Sequence, residues 1–232
     1  SIAAKETGAD VRVMAPMVAT VEEAAWFARR VRENGLPKGG VMIEVPAAAL
    51  RSAHVLAEVE FGSIGTNDLA QYTMAADRMQ GELSDLLDPW QPAVLDVVAA
   101  ACEGAASTGR PMGVCGESAG DPLLALVLTG LGVSSLSMAP SKVPVVRLAL
   151  SLHSLPECQG IAAAARAAAT AREALEAVRE LARDELTDRL GPADTPRGGT
   201  RRANWPAGSP RACEGWGSQR WMRGTATSLP PS

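Results

Sequence analysis

Residues 61–69 read Phe61-Gly62-Ser63-Ile64-Gly65-Thr66-Asn67-Asp68-Leu69, and this stretch decides the fold class. A short apolar run with strand character stops at Gly-Thr-Asn-Asp. It therefore gathers backbone N–H groups, an amide and a carboxylate at the C-terminal end of a strand. Two further segments repeat the pattern. In Gly40-Val41-Met42-Ile43-Glu44-Val45-Pro46-Ala47 a carboxylate follows a fully apolar run, and in Met112-Gly113-Val114-Cys115-Gly116-Glu117-Ser118-Ala119-Gly120 a cysteine beside a glycine ends one.

Working outward, similar short runs at 11–14, 41–44, 61–64, 111–115 and 134–138 read as strands of a buried parallel sheet. Helical patterns lie between and after them, at 21–34 closed by Gly35, 47–58, 92–108 closed by Gly109, 122–131, 144–150 and 161–190. Thr20 with Glu23 forms a capping box, and Asp121 with Pro122 gives an N-cap and a proline at the first helical position. Repeated strand–loop–helix units predict an α/β fold with right-handed crossovers. No G-x-G-x-x-G or G-x-x-x-x-G-K motif follows a strand, which removes support from nucleotide-binding doubly wound sheets. Polar residues at strand C-termini (Glu44, Asn67, Asp68, Cys115, Glu117) instead match the rim of a (β/α)8 barrel. Five strands do not close a barrel that takes about 250 residues. The expectation is a partial TIM (β/α)8 barrel, about the last five strands, over residues 1–190.

Composition sets limits on partners. The 232 residues carry a net charge of −4, with 47% hydrophobic and 21% charged residues. That is a soluble globular composition without the basic surplus of an electrostatic nucleic-acid binder. The apolar run near 123–133 is far shorter than the roughly 20 residues a membrane span needs, so no membrane and no nucleic-acid partner is expected. Cys102, Cys115, Cys158 and Cys213 are far apart with no C-x-x-C, against a zinc site or a disulfide framework. A cytoplasmic location follows as the expectation. Residues 191–232 hold six arginines, two acids, seven glycines, six prolines and three of the five tryptophans, leaving −8 on residues 1–190. That composition predicts a disordered tail. Its alternative is a basic arm for nucleic acid or membrane, with Trp205, Trp216 and Trp221.

The rim residues have specific chemical uses. Proteins hold Mg²⁺ through one or two carboxylates plus substrate oxygens, which suits Glu44 and Asp68. The competing readings are a helix N-terminal carboxylate for Glu44 and turn formers for Asn67 and Asp68. Cys115 offers an accessible thiol at a strand end, whereas Cys102 reads as a buried helix residue. Arg78, ten residues after Asp68, is the cation within reach of an anionic ligand there, and taken alone it defaults to the surface.

In order and spacing these segments resemble the phosphoenolpyruvate-binding barrel of Enzyme I of the bacterial sugar phosphotransferase system, the phosphoenolpyruvate–protein phosphotransferases. The matching blocks are Val13-Met14-Ala15-Pro16-Met17, Val41 to Ala48, Ser63 to Thr73 with Asp77-Arg78, and Gly113 to Gly120, and coverage runs from about residue 10 to 185. The resemblance implies Mg²⁺ held by Glu44 and Asp68. It implies Asn67, Asp68 and Arg78 in substrate binding, with Asn67 and Arg78 on the phosphate, and Cys115 as proton donor to the methylene carbon, giving pyruvate. Pyruvate phosphate dikinase and phosphoenolpyruvate synthase share these blocks, so a barrel fragment of that type is an alternative. In the family a histidine on a separate domain accepts the phosphoryl group and passes it to a phosphocarrier protein. His54 and His153 lack that context and read as structural or surface residues. The first three barrel strands, the phosphohistidine domain and the carrier-binding domain have no counterpart here, so the chain alone is expected to be inactive. A non-catalytic module that forms a homodimer through this region is the other alternative.

Overall fold

The computed structural model describes residues 7–191; apart from Gly191, the expected disordered tail lies outside the described residues. Five strands form one sheet: β1 (Arg12–Ala15), β2 (Lys38–Ile43), β3 (Phe61–Gly65), β4 (Met112–Cys115) and β5 (Ser135–Leu136). All pairings are parallel, and the spatial order is the chain order. A doubly wound sheet reverses direction at a switch point, whereas a barrel winds steadily around. The observed order is the barrel's, so the expected partial barrel stands.

The strands were expected to be buried on both faces, and here the structure differs. Val41, Ile43, Ile64, Met112 and Val114 are buried against helices, while Met42, Ser63, Gly113 and Cys115, on the alternate positions, are only half-buried. A cleft of about 220 Å³ follows that second face, lined by Arg12, Met14, Phe61, Ser63, Gly113 and Ser135 among others. The strands read as continuously apolar because glycines and Met42 occupy much of the open face. At Gly40 a Cβ would overlap the Phe61 ring, so the aromatic lies flat across the neighbouring strand.

Helices cover the packed face. The Thr20–Glu23 capping box opens α1 (Val21–Glu33), with Glu23 N–H donating to Thr20 Oγ1 at 3.3 Å and Thr20 N–H donating to Glu23 Oε2 at 3.0 Å. The expected helix 47–58 is two helices, α2 (Pro46–Leu50) and α3 (Ser52–Ala57), broken at Arg51. The break lets Ser52 Oγ donate to the Ala100 carbonyl at 3.1 Å. A further helix, α4 (Thr66–Thr73), occupies what read as a turn. α5 (Pro92–Thr108) ends at Gly109, whose φ of 64° is the left-handed cap the sequence reading required.

α6 (Pro122–Gly130) starts as read, Asp121 Oδ1 accepting from the N–H groups of Leu123 and Leu124 at 2.8 and 3.0 Å. Leu123 to Leu128 are buried in succession, because α6 lies between the sheet-side core and the C-terminal helices. Burial of each of these large side chains contributes about 1.5–3 kcal/mol.

After β5 come α7 (Val143–Leu152), α8 (Leu155–Ala167), α9 (Ala171–Leu181) and α10 (Asp184–Leu190). The last three replace the single helix expected over 161–190. Thr170 interrupts it by capping Glu173 N–H at 3.2 Å, and Ala168 and Ala182 are extended. A straight helix of 30 residues would run about 45 Å and carry its apolar side chains off the core. Broken, it folds Ile161, Ala165, Val178 and Leu186 back into one cluster with Leu124 and Leu126 of α6. His153 fastens the last helices: Nδ1 bonds the Ala149 carbonyl at 2.8 Å, and Nε2 accepts from Arg183 N–H at 3.0 Å. Among the described residues no helix is long and apolar enough to cross a membrane.

Candidate active site

Glu44 is the first residue beyond β2 and is 3% exposed. α2 is capped at Val45 with no side-chain cap bond, and Glu44 precedes that cap by one residue. Its Oε1 accepts the N–H of Met17, on the loop after β1, at 2.7 Å. Its other oxygen lies against Gly65 at the end of β3: a Cβ there would overlap Glu44 Oε2 and stand 3.0 Å from Glu44 Cβ. Glycine at 65 therefore makes the slot that the carboxylate fills.

Thr66, Asn67 and Asp68, read as possible turn formers, are the first turn of α4. The side chains of Thr66 and Asn67 reach across to the β4 loop. Thr66 Oγ1 donates to the Cys115 carbonyl at 3.2 Å, and Asn67 Oδ1 faces Glu117 N–H at 3.5 Å. Gly116 between them has φ of 97°, and a Cβ there would lie 2.7 Å from Thr66 Oγ1. Both its backbone and its neighbours require glycine. Asp68 Oδ1 stands 3.6 Å from a terminal nitrogen of Arg78, with the side chains 30% and 54% exposed. Such an open pair is worth about 0–1 kcal/mol.

Cys115 is half-buried, its Sγ 3.5 Å from the Ile64 carbonyl. The other two described thiols differ. Burial pushes Cys102 up to about 12, and burial and then the Glu157 charge raise Cys158. Both are consistent with structural roles.

A cleft of about 320 Å³ is lined by Thr66, Asn67, Arg78, Glu117 and Ser118. A second, of about 580 Å³, shares Asn67, Glu117 and Ser118 and reaches Asp121, Met138 and Lys142. The structure thus brings Asn67, Asp68, Arg78 and the Cys115–Glu117 main chain together at the β3–β4 rim. Glu44 stands one strand over, between the β1 loop and Gly65. Sequence reasoning missed Met17, Thr66 and Lys142. Met17 and Thr66 both sit inside recognised blocks, but a main-chain donor such as Met17 leaves no mark in residue type. No group of three or more His, Cys, Asp or Glu that could hold a metal ion occurs among the described residues. Mg²⁺ needs only one or two carboxylates with water and substrate oxygens for the rest. A buried Glu44 with one oxygen held, and a weakly paired Asp68 in the turn after Gly65, fit that requirement.

The family model described as PEP-utilising enzyme, PEP-binding domain, matches residues 2–154. The chain is 59% identical over 165 residues to a phosphoenolpyruvate-protein phosphotransferase of Streptomyces coelicolor, covering 71% of this chain and 30% of that protein. The corresponding Bacillus subtilis protein is 35% identical over 186 residues, covering 75% and 33%. A multiphosphoryl transfer protein of Xanthomonas campestris is 42% identical over 185 residues, covering 76% and 22%. The chain therefore spans a third or less of the length of these relatives. The family match covers well over half of the chain, and the chain therefore belongs to the PEP-utilising enzymes, through their PEP-binding domain.

Proposed function

We propose that this chain binds phosphoenolpyruvate at the C-terminal rim of its sheet and donates the proton in phosphoenolpyruvate-dependent phosphorylation of a histidine, the first step of sugar transport by the phosphotransferase system. The observation that supports this best is the β3–β4 junction, where Asn67, Arg78 and Glu117 border one cleft, Glu117 standing two residues along the chain from Cys115. Arg78 and Asn67 would bind the phosphate through charge-assisted hydrogen bonds. Held by Glu44 and Asp68, Mg²⁺ would supply positive charge near the enolate oxygen as the phosphoryl group departs. The P–O bond to the enol oxygen breaks, the acceptor nitrogen takes the phosphoryl group, and the resulting enolate is protonated at its methylene carbon by the Cys115 thiol. The thiolate then recovers a proton from water, and pyruvate leaves.

The acceptor histidine is supplied by a phosphohistidine domain. His153 has both ring nitrogens bonded, and His54 is exposed on α3, where Nε2 lies 3.3 Å from Arg51. The further partners in this reading are a phosphocarrier protein and, for the dimer, a second copy of the chain. The setting is the cytoplasm.

The test is complementation. The chain is mixed with the part of the Streptomyces coelicolor relative that it does not span, and pyruvate release and histidine phosphorylation from phosphoenolpyruvate are followed. Cys115→Ser should lower pyruvate formation by about 10²-fold or more, the usual contribution of a positioned acid, and Cys102→Ser should not. Unchanged turnover with Cys115→Ser would remove the thiol from the mechanism.

A further inference from the structure

We propose that Met17 is a positioning residue: its main-chain N–H, presented by a left-handed backbone, fixes the direction of the Glu44 carboxylate at the end of β2. The inference deepens the function proposed above and rests on the reading of Glu44 as a metal ligand.

Four observations converge on it. Met17 has φ of 55°, one of two described non-glycine residues in the left-handed region, a conformation that costs a residue with a Cβ and persists where its surroundings enforce it. Its N–H reaches Glu44 Oε1 at 2.7 Å, the short end of the range for a charge-assisted bond. The methionine side chain is 45% exposed, whereas Val18 beside it is 4% exposed. Val18 anchors the loop, and what the loop delivers at position 17 is its backbone. On the other side, Gly65 leaves room for Oε2 and for nothing larger. One carboxylate oxygen is therefore bonded and the other confined, which leaves Glu44 little rotational freedom. Groups that orient a metal ligand in this way commonly change metal affinity ten- to a hundredfold when lost.

The experiment uses the full chain with Mn²⁺ alone as the probe, binding being read from the electron paramagnetic resonance signal of the free ion. Replacing Met17 by the α-hydroxy acid analogue of methionine exchanges the N–H for an ester oxygen, deleting the donor with no change of side chain and only a weakening of the Pro16 carbonyl as an acceptor. The Mn²⁺ dissociation constant should rise about ten- to a hundredfold, with β2 and β3 amides still protected from hydrogen exchange. Met17→Gly keeps the N–H and adopts positive φ readily, so its dissociation constant should stay within about threefold of the parent. Glu44→Gln keeps an acceptor but loses the charge; the Met17 amide should remain protected while Mn²⁺ binding falls.

An ester chain that binds Mn²⁺ like the parent, with Glu44→Gln still defective, overturns the positioning role and leaves the metal reading standing. A Met17→Gly chain as weak as the ester overturns it too, because the side chain would then carry the effect. Parent-like Mn²⁺ binding in Glu44→Gln removes Glu44 as a ligand, and the positioning role falls with it.

Discussion

Gly65→Ala places one methyl group where strand packing and the candidate site meet, and its cost follows from three neighbours. The new Cβ would stand 3.0 Å from Met42 Cε and 3.0 Å from Glu44 Cβ, and would overlap Glu44 Oε2, against a comfortable carbon–carbon separation of about 3.5–4 Å. Met42 Cε is the end of a flexible chain and can yield. Glu44 Cβ cannot, because it is fixed to the backbone directly after the last β2–β3 pair, Ile43–Ile64. The strand ends must separate by about half an ångström, an overpacking cost of about 1–3 kcal/mol. The carboxylate must also swing away, breaking its bond from Met17 N–H at a further cost of about 1.5–3 kcal/mol. Against this, Gly65 has φ of −92° and ψ of 89°, which alanine accepts, so the loss of unfolded-state freedom returns about 0.4–1 kcal/mol. The net expectation is a destabilisation of about 3 kcal/mol. Urea unfolding followed by circular dichroism measures it: with a slope of about 2–3 kcal/mol per molar, the midpoint should fall by about 1–1.5 M. A midpoint within 0.2 M of the parent would mean the site tolerates a Cβ, and the slot described for Glu44 would be wrong.

Two further predictions use the C-terminal helices. At Gly130 a Cβ would stand 2.5 Å from the Cys158 carbonyl carbon and 2.9 Å from Ala162 Cβ, whereas at Gly160 it would meet nothing within 4 Å. Gly130→Ala should therefore lower stability by about 2–3 kcal/mol, and Gly160→Ala, on the exposed face of α8, should raise it by about 0.5–1 kcal/mol; equal effects in thermal melts would refute the α6–α8 contact. Glu157 is held down to about 2 from an ordinary 4.5 by the Ser154 backbone and hydroxyl and by Arg183. A lowered carboxylate contributes stability above its unfolded value and loses it as pH falls through the folded one. Glu157→Gln should flatten the acid limb of stability between about pH 4.5 and 2, and an unchanged limb in acid titrations would refute the capping role.

The strands were legible because each is a short apolar run stopped by polar or glycine residues, and their ends were displaced by a few residues at most. Helix starts were legible where a side chain supplies the cap, as at Thr20 and Asp121. The break at Thr170 carries the same signal, Thr170 followed by Glu173, but it is submerged in alanine, which favours helix at every position. The break at Arg183 has no side-chain cap, so long-range partners dictate it: Leu186 packs into the α6 cluster and His153 Nε2 accepts the Arg183 N–H. α4 was illegible for a different reason. Thr, Asn and Asp compete for local backbone in a helix, but here Thr66 and Asn67 spend their oxygens on the β4 loop, and that long-range partnership leaves the local helix intact. The candidate site residues were picked out through the resemblance their blocks carry, while the main-chain donors beside them were not, since every non-proline residue carries the same N–H.

The rim treats its two candidate metal carboxylates differently, and their burial explains how one site can be both fixed and responsive. Glu44, at 3% exposure with a bonded Oε1, is costly to move, because any rotation leaves a buried charge with one fewer donor. Asp68 is 30% exposed, and its 3.6 Å approach to Arg78 is longer than a hydrogen bond, so separating the pair costs about 1 kcal/mol or less. On the proposed reading, a phosphate arriving in the cleft beside Asn67 competes for the Arg78 guanidinium with more negative charge and better fork geometry than one carboxylate offers. Arg78 then changes partner, and the Asp68 oxygen it held becomes free for a cation. Anion and cation sites coupled in this way should each strengthen the other by the same factor. On that reading the coupling would reside in the Asp68–Arg78 pair, with Glu44, held by the Met17 N–H, as the fixed point.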